Sequence, residues 1–324
     1  MMKKKFFISL YIFWVSVLVY IFFRLIHPAV PENTGIVKAP IVSPQFFDTW
    51  TEPITNIEFV RLPKGCFQMG SPRHELDRGD DESPVHSVCL DSFWISKMEI
   101  TVFQFQRFIK ETGYQTQAET EGFSWGYDGH WKKRSGYHWK NPGFSQTKQH
   151  PVVHVSYQDA MVMARFLSGL QRQFSLPTEA QWEFACRANT EQSRFFGDDI
   201  QKTCEYANIA DQTIQQTYRA WTVHPCNDTF AFTAPVASLK PNGFGLFDTL
   251  GNVWEWCLEP YDHQAYFHPK RSMRVTDDRT PVVIRGGSWY SRPKFVRCAN
   301  RDYVASIARR SSDLGFRLVM HLRD

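Results

Sequence analysis

Apolar positions are distributed very unevenly along this chain. Phe6 to Phe23 (FFISLYIFWVSVLVYIFF) is an 18-residue run without a single charge. As a helix it rises about 27 Å at roughly 1.5 Å per residue, enough to cross a hydrocarbon core. Lys3, Lys4 and Lys5 precede it, against only Arg24 and His27 just after, which predicts a cytoplasmic N-terminus. A cleaved signal peptide is the alternative. Its apolar region is normally shorter and a small-x-small site follows, for which only the vicinity of Ala29 offers a match. The pattern therefore predicts a cytoplasmic segment at 1–5, a transmembrane signal anchor at 6–24 and a tether at 25–56. A single domain at 57–324 follows, placed in the periplasm or outside the cell. The five prolines between residues 28 and 55 suit an extended tether.

From Ile57 the texture changes. IEFVRLPKGCFQMGS alternates like a strand and turns at Gly70 and Ser71, and VHSVCLDSFWISKMEI resumes strand character. The charged run between them, including DRGDDE at 77–82, reads as a solvated loop without an EF-hand pattern. Three helix starts are marked by capping boxes. Thr101 with Gln104 opens a helix that stops at Gly113, Ser156 with Asp159 opens a second, and Thr178 with Gln181 a third. Gly122 to His150 shows no helical period, and after Arg187 short apolar runs, glycines and asparagines dominate. The expected fold class is α+β: one loop-rich domain with small strands and few helices.

Composition sharpens this. The 11 Trp, 12 Tyr and 27 Phe suit a fold whose long loops are held by large flat side chains. A net charge of +4, much of it in the N-terminal lysines, leaves no basic stripe and argues against nucleic acid as a partner. Seven cysteines suit an oxidising compartment, and the absence of CxxC removes the zinc-ribbon and thioredoxin signatures. Cys66 with Cys89, and Cys204 with Cys226, are candidate pairs among several possible connectivities, and the odd count leaves at least one cysteine unpaired within the chain.

The motifs GCFQMGS, MEIT, SLPTEAQWEFACRA, YANIADQ, TAPVASLKPNGFGLFDTLGNVWEW, RGGSW, RCANR and SSDLGFRLV occur in that order. Together they resemble the formylglycine-generating enzyme (sulfatase-modifying factor) family, over about residues 57–320. The resemblance implies a C-type-lectin-like fold. It also implies a disulfide from Cys186 to Cys298. Enzymes of that family oxidise a sulfatase cysteine with O2 and a copper ion held by two thiolates after the GGS motif. Here Ser291 stands at the first of those positions, and Lys294 and Phe295 occupy the vicinity of the second. A hard, protonated hydroxyl does not replace a copper thiolate, so copper and formylglycine formation are not expected. Ser288, Ser291, Trp254 and Arg292 remain as a vestigial groove, suited to a peptide or another envelope protein. Arg297 and Arg301 in the same loop are expected on the solvated surface.

Two family calcium sites map onto Asn208, Ile209, Asp228 and Phe230, and onto Asp248, Gly251, Val253 and Glu255. Carboxylates mixed with main-chain carbonyls are what calcium prefers, and its role here is expected to be structural. Iron is not expected. His150 and His154 share a face if HPVVH is a strand, but no third ligand follows at motif spacing. The family's iron-dependent members take their histidines largely from a helical domain this chain lacks. The overall expectation is a membrane-anchored, calcium-stabilised binding domain. The alternative is a divergent periplasmic oxidase or maturation enzyme acting on a peptide or siderophore precursor.

Overall fold

The computed structural model describes residues 47–268 and 275–323. The expected anchor at 6–24 and most of the tether lie outside them. Among the described residues no helix is long and apolar enough to cross a membrane.

Thirteen short strands are described: β1 (Thr49–Thr51), β2 (Glu58–Leu62), β3 (Gly65–Met69), β4 (His86–Leu90), β5 (Phe93–Ser96), β6 (Phe123–Tyr127), β7 (Trp131–Ser135), β8 (Arg172–Ser175), β9 (Trp254–Pro260), β10 (Val282–Arg285), β11 (Asp302–Val304), β12 (Leu314–Gly315) and β13 (Val319–Leu322). The described helices are α1 (Val102–Thr112), α2 (Gln117–Glu121), α3 (Tyr157–Leu167), α4 (Glu179–Arg187) and α5 (Gln212–Gln215), with short 3-10 turns between. This is an α+β domain.

All three expected capping boxes form, at Thr101, Ser156 and Thr178. Gly113 ends α1 in the left-handed region at φ 67°. A fourth box, Thr116 with Glu119, opens α2 and was not anticipated. The strand-like run from Ile57 divides into β2 and β3, because Pro63 has no amide hydrogen for a ladder.

One sheet runs β1-β2-β5-β13-β8, so the last strand lies between the early β5 and the mid-chain β8. Adjacent residues point to opposite faces, and here both faces are covered. Phe59, Phe174 and Met320 join Phe105 and Phe108 of α1 and Met163 of α3 in one core. Val60, Ile95 and Val319 join Phe184 of α4 and Phe244 in another. The folded domain starts earlier than the expected Ile57. β1 pairs with β2, and the Trp50 ring packs 5.9 Å from Phe59 and 6.3 Å from Phe174 between centroids. A three-residue strand is too short to show period, which is why this stretch read as tether.

The second sheet runs β11-β10-β9-β12, with β12 parallel to β9 through the pair Leu314 and Trp254. Disulfides join Cys66 to Cys89, Cys186 to Cys298 and Cys204 to Cys226, and Cys257 is free and buried.

Three surface expectations are corrected. Arg297 is buried and bonds Glu75 (2.6 Å) and Glu82 (2.6 Å). Arg301 is buried with its Nε 2.7 Å from Glu179 and its Nη1 donating to the Asp81 carbonyl at 2.9 Å. The 77–82 loop is therefore not simply solvated: Asp81 and Glu82 are buried under the 285–301 segment. Burying a charge this deeply requires a hydrogen-bonded partner, and each has one. HPVVH is not a strand either. His154 sits at φ 60° with its ring nitrogens 2.7 Å from Ser124 Oγ and 3.1 Å from the Pro142 carbonyl, while His150 Nδ1 accepts from the Thr147 amide. The two rings serve separate local contacts.

Candidate functional site

The RGGSW motif leaves β10 into a loop that only glycine permits at two points. Gly286 and Gly287 adopt φ 100° and 80°, and a Cβ on Gly287 would stand 3.3 Å from Ser291 Oγ. The turn carries Ser291, Arg292, Lys294 and Phe295 to one wall of a cleft of about 410 Å³. Trp131 of β7, Trp221, Trp254 of β9 and Tyr290 also line it, with Asp302 and Asp313. The rings brace one another. Tyr290 lies 4.6 Å from Trp221 at 87° and 5.5 Å from Trp131, edge-to-face contacts that hold aromatic walls in place.

Of the expected groove residues, Ser291, Trp254 and Arg292 line the cleft. Ser288 is fully buried beneath it, with its amide donating to Ser291 Oγ at 2.9 Å and its hydroxyl 3.5 Å from the same oxygen. No cysteine is among the lining residues. The Cys257 thiol is buried on β9, and burial pushes it well above its ordinary value.

The charged lining differs in depth. Arg292 and Lys294 are exposed, whereas Asp313 is 8% exposed. Ser311 Oγ donates to Asp313 Oδ1 at 2.7 Å. Burial pushes the Asp313 carboxyl up to about 6, against the Ser311 hydrogen bond and the Arg309 charge, with Asp302 adding to the rise. The sequence reading missed Trp131, Trp221, Tyr290, Asp302 and Asp313. Asp313 sits inside the SSDLGFRLV motif and Tyr290 directly follows RGGSW, so both were within reach; Trp131 on β7 and Trp221 in an irregular loop lie in no motif.

Two further clusters concern the residues expected to hold cations. In the first, Asp228 accepts the amides of Ile209 and Phe230, each at 2.8 Å. Asn208 is fully buried, donates to the Phe232 carbonyl and to Asn252, and leaves its own Oδ1 without a partner. Asp211, missed in the sequence, lies beside Asp228, accepting its amide at 2.5 Å. Burial, with Asp211 contributing, pushes Asp228 up to about 8. In the second, Glu255 is held by Arg317 (2.6 and 2.7 Å) and by the Trp182 indole at 2.7 Å. Asp248 accepts the Ala237 amide at 2.8 Å. Glu99, also missed, is buried beside them and accepts from Asn252 Nδ2 and the Val253 amide. Burial, then the charges of Asp248 and Glu255, raises its carboxyl well above the ordinary range. Three buried carboxylates thus share one guanidinium, Arg317.

The sulfatase-modifying factor enzyme 1-like domain matches residues 46–322. The chain belongs to that family. It is similar to a formylglycine-generating enzyme of Thermomonospora curvata, 33% identical over 277 residues covering 76% of this chain and 86% of that protein. It is also similar to the inactive C-alpha-formylglycine-generating enzyme 2 of Bos taurus, 29% identical over 258 residues, 72% of this chain and 76% of that one. Among solved structures, PvdO from Pseudomonas aeruginosa superposes with a TM-score of 0.70 at 27% identity, covering 86% of this chain and all of that one. The match begins at residue 46, ahead of β1.

Proposed function

We propose that this sulfatase-modifying-factor domain is a ligand-binding module, anchored to a membrane by residues 6–24 and facing away from the cytoplasm. It holds a peptide or an envelope protein in the Trp131–Trp221–Tyr290 cleft and does not form formylglycine. One observation carries the reading: no thiol lines the cleft, since six cysteines are in disulfides and the seventh, Cys257, is buried elsewhere. Linear copper coordination needs two soft sulfur ligands, and Ser291 offers a hydroxyl. Peptides selected from a displayed random library on the full chain are expected to lose binding in Trp221→Ala and Trp131→Ala. Equal binding by both variants contradicts the proposal.

Calcium is proposed as a structural ion at both clusters. Asn208 and Asp228, with the carbonyls of Ile209 and Phe230, would hold one ion. Asp248 and Glu255, with the carbonyls of Gly251 and Val253, would hold the other. The orphaned Asn208 Oδ1 and the excess of carboxylates over Arg317 suit a hard divalent cation. The bound ion would neutralise buried charge and tie the irregular 207–255 segment.

A second reading is a divergent maturation enzyme acting on a peptide or siderophore precursor. The Asp313 carboxyl favours it, because a buried acid poised near neutral pH on a cleft floor suits proton transfer. Stoichiometric copper or iron in the purified protein supports this second reading; calcium alone leaves the binding role ahead.

A further inference from the structure

Four buried glutamates in this domain meet a guanidinium. Glu82 meets Arg297, Glu179 meets Arg301, Glu183 meets Arg285 and Arg187, and Glu255 meets Arg317. Asp313, like the buried Glu99, Asp159 and Asp228, meets none, and it is the one of these four that lines the cleft. Its one side-chain hydrogen bond comes from Ser311, and among the described residues no ion pair reaches it or Asp302. Arg309, the cation whose charge Asp313 feels, is stacked instead on Trp125, with its guanidinium carbon 4.2 Å from that ring centroid and 5.7 Å from the centroid of Trp131. The way to this unmatched carboxylate is walled by rings, and the faces of aromatic rings attract cations. Arg292 and Lys294 are exposed on the same cleft, so charge runs from positive outside to negative inside.

We infer that the cleft takes a ligand bearing an alkylammonium group, seated among Trp131, Trp221 and Tyr290 with Asp313 as its counter-ion. The exposed Arg292 and Lys294 then face the part of the ligand beside the ammonium and favour an acidic neighbour there. This inference rests on the ligand-binding role proposed above and names the chemistry of what is bound. A lysine side chain of a peptide and a free amine share that chemistry.

Calorimetric titration of the full chain separates the cases. The probes are the capped tripeptide Ala-Lys-Glu, the same peptide with norleucine for lysine, and spermidine. The lysine peptide is expected to bind at least about tenfold tighter than the norleucine peptide, as a desolvated cation–π contact with a counter-ion would give. Asp313→Asn is expected to reduce that preference to less than about twofold, and Trp221→Leu to weaken the lysine peptide more than its analogue. Spermidine binding with the same dependence on Asp313 identifies a free amine as a source; binding of the peptide alone identifies lysine. Equal affinity for the lysine and norleucine peptides, or a lysine preference that survives Asp313→Asn, overturns the inference and leaves the cleft's binding role intact. No binding of any probe, together with failure of the library-selected peptides, overturns both.

Discussion

Ser291 Oγ accepts the Ser288 amide at 2.9 Å, closing the turn that carries the cleft wall. The Ser291 hydroxyl thus has structural work in the loop after the RGGSW motif. Ser291→Ala leaves the buried Ser288 amide without that acceptor, which costs about 1–3 kcal/mol. Thermal melts are expected to show the loss, with cleft affinity falling alongside. An unchanged melting temperature would mean the turn holds without the hydroxyl.

Calcium is expected to raise the melting temperature and a chelator to lower it. At a free concentration about 100 times Kd, one site contributes about 2.7 kcal/mol. Asp228→Asn is expected to remove part of the response and to leave the part due to the Asp248 cluster. A domain that melts identically with calcium and with chelator has no structural ion.

Arg297 ties the 71–83 loop to the 285–301 loop through Glu75 and Glu82. Arg297→Met leaves two buried carboxylates without their guanidinium, and removing one partner of such a network costs about 3–5 kcal/mol. Melting is expected to fall by on the order of 10 °C. A change of only a degree or two would show that the network is solvated after all.

Asp313 gives a pH dependence of definite sign. Its folded carboxyl lies at about 6, above the ordinary 3.8, so the native state holds a proton that the unfolded chain has released. The resulting stability is complete below about pH 4 and is lost as pH rises through about 6. Arg309 and Asp302 face the same carboxyl and do not reverse the sign. Asp313→Asn is therefore expected to match wild type in acid and to exceed it by about 2–3 kcal/mol above pH 7. An advantage that does not change with pH would place the titration elsewhere.

Local chemistry was legible wherever one stretch of sequence fixes its own structure. Thr101, Ser156 and Thr178 announce their helices because cap and acceptor lie three residues apart. Family motifs pointed to the cleft wall at Ser291 and to two buried polar clusters, one around Asp228 and one around Asp248 and Glu255. What the sequence hid depends on distant partners. Arg297 and Arg301 look like surface arginines until Glu82 and Glu179 are placed against them, over distances of more than a hundred residues. Glu99 joins Asp248 and Glu255 because the segment after β5 is tied to distant chain, the Phe247 amide donating to the Lys97 carbonyl and the Val253 amide to Glu99 itself. Trp131 and Trp221 reach the cleft from a hairpin and an irregular loop, neither of which carries a period to read.

We propose that a sulfatase-modifying-factor cleft without thiols does not carry out the copper oxidation. The most direct test is to load the full chain with copper, supply a sulfatase cysteine peptide in air, and follow the peptide by mass spectrometry. The cysteine is predicted to remain unmodified. Catalytic conversion to formylglycine, with several peptides turned over per chain, contradicts it.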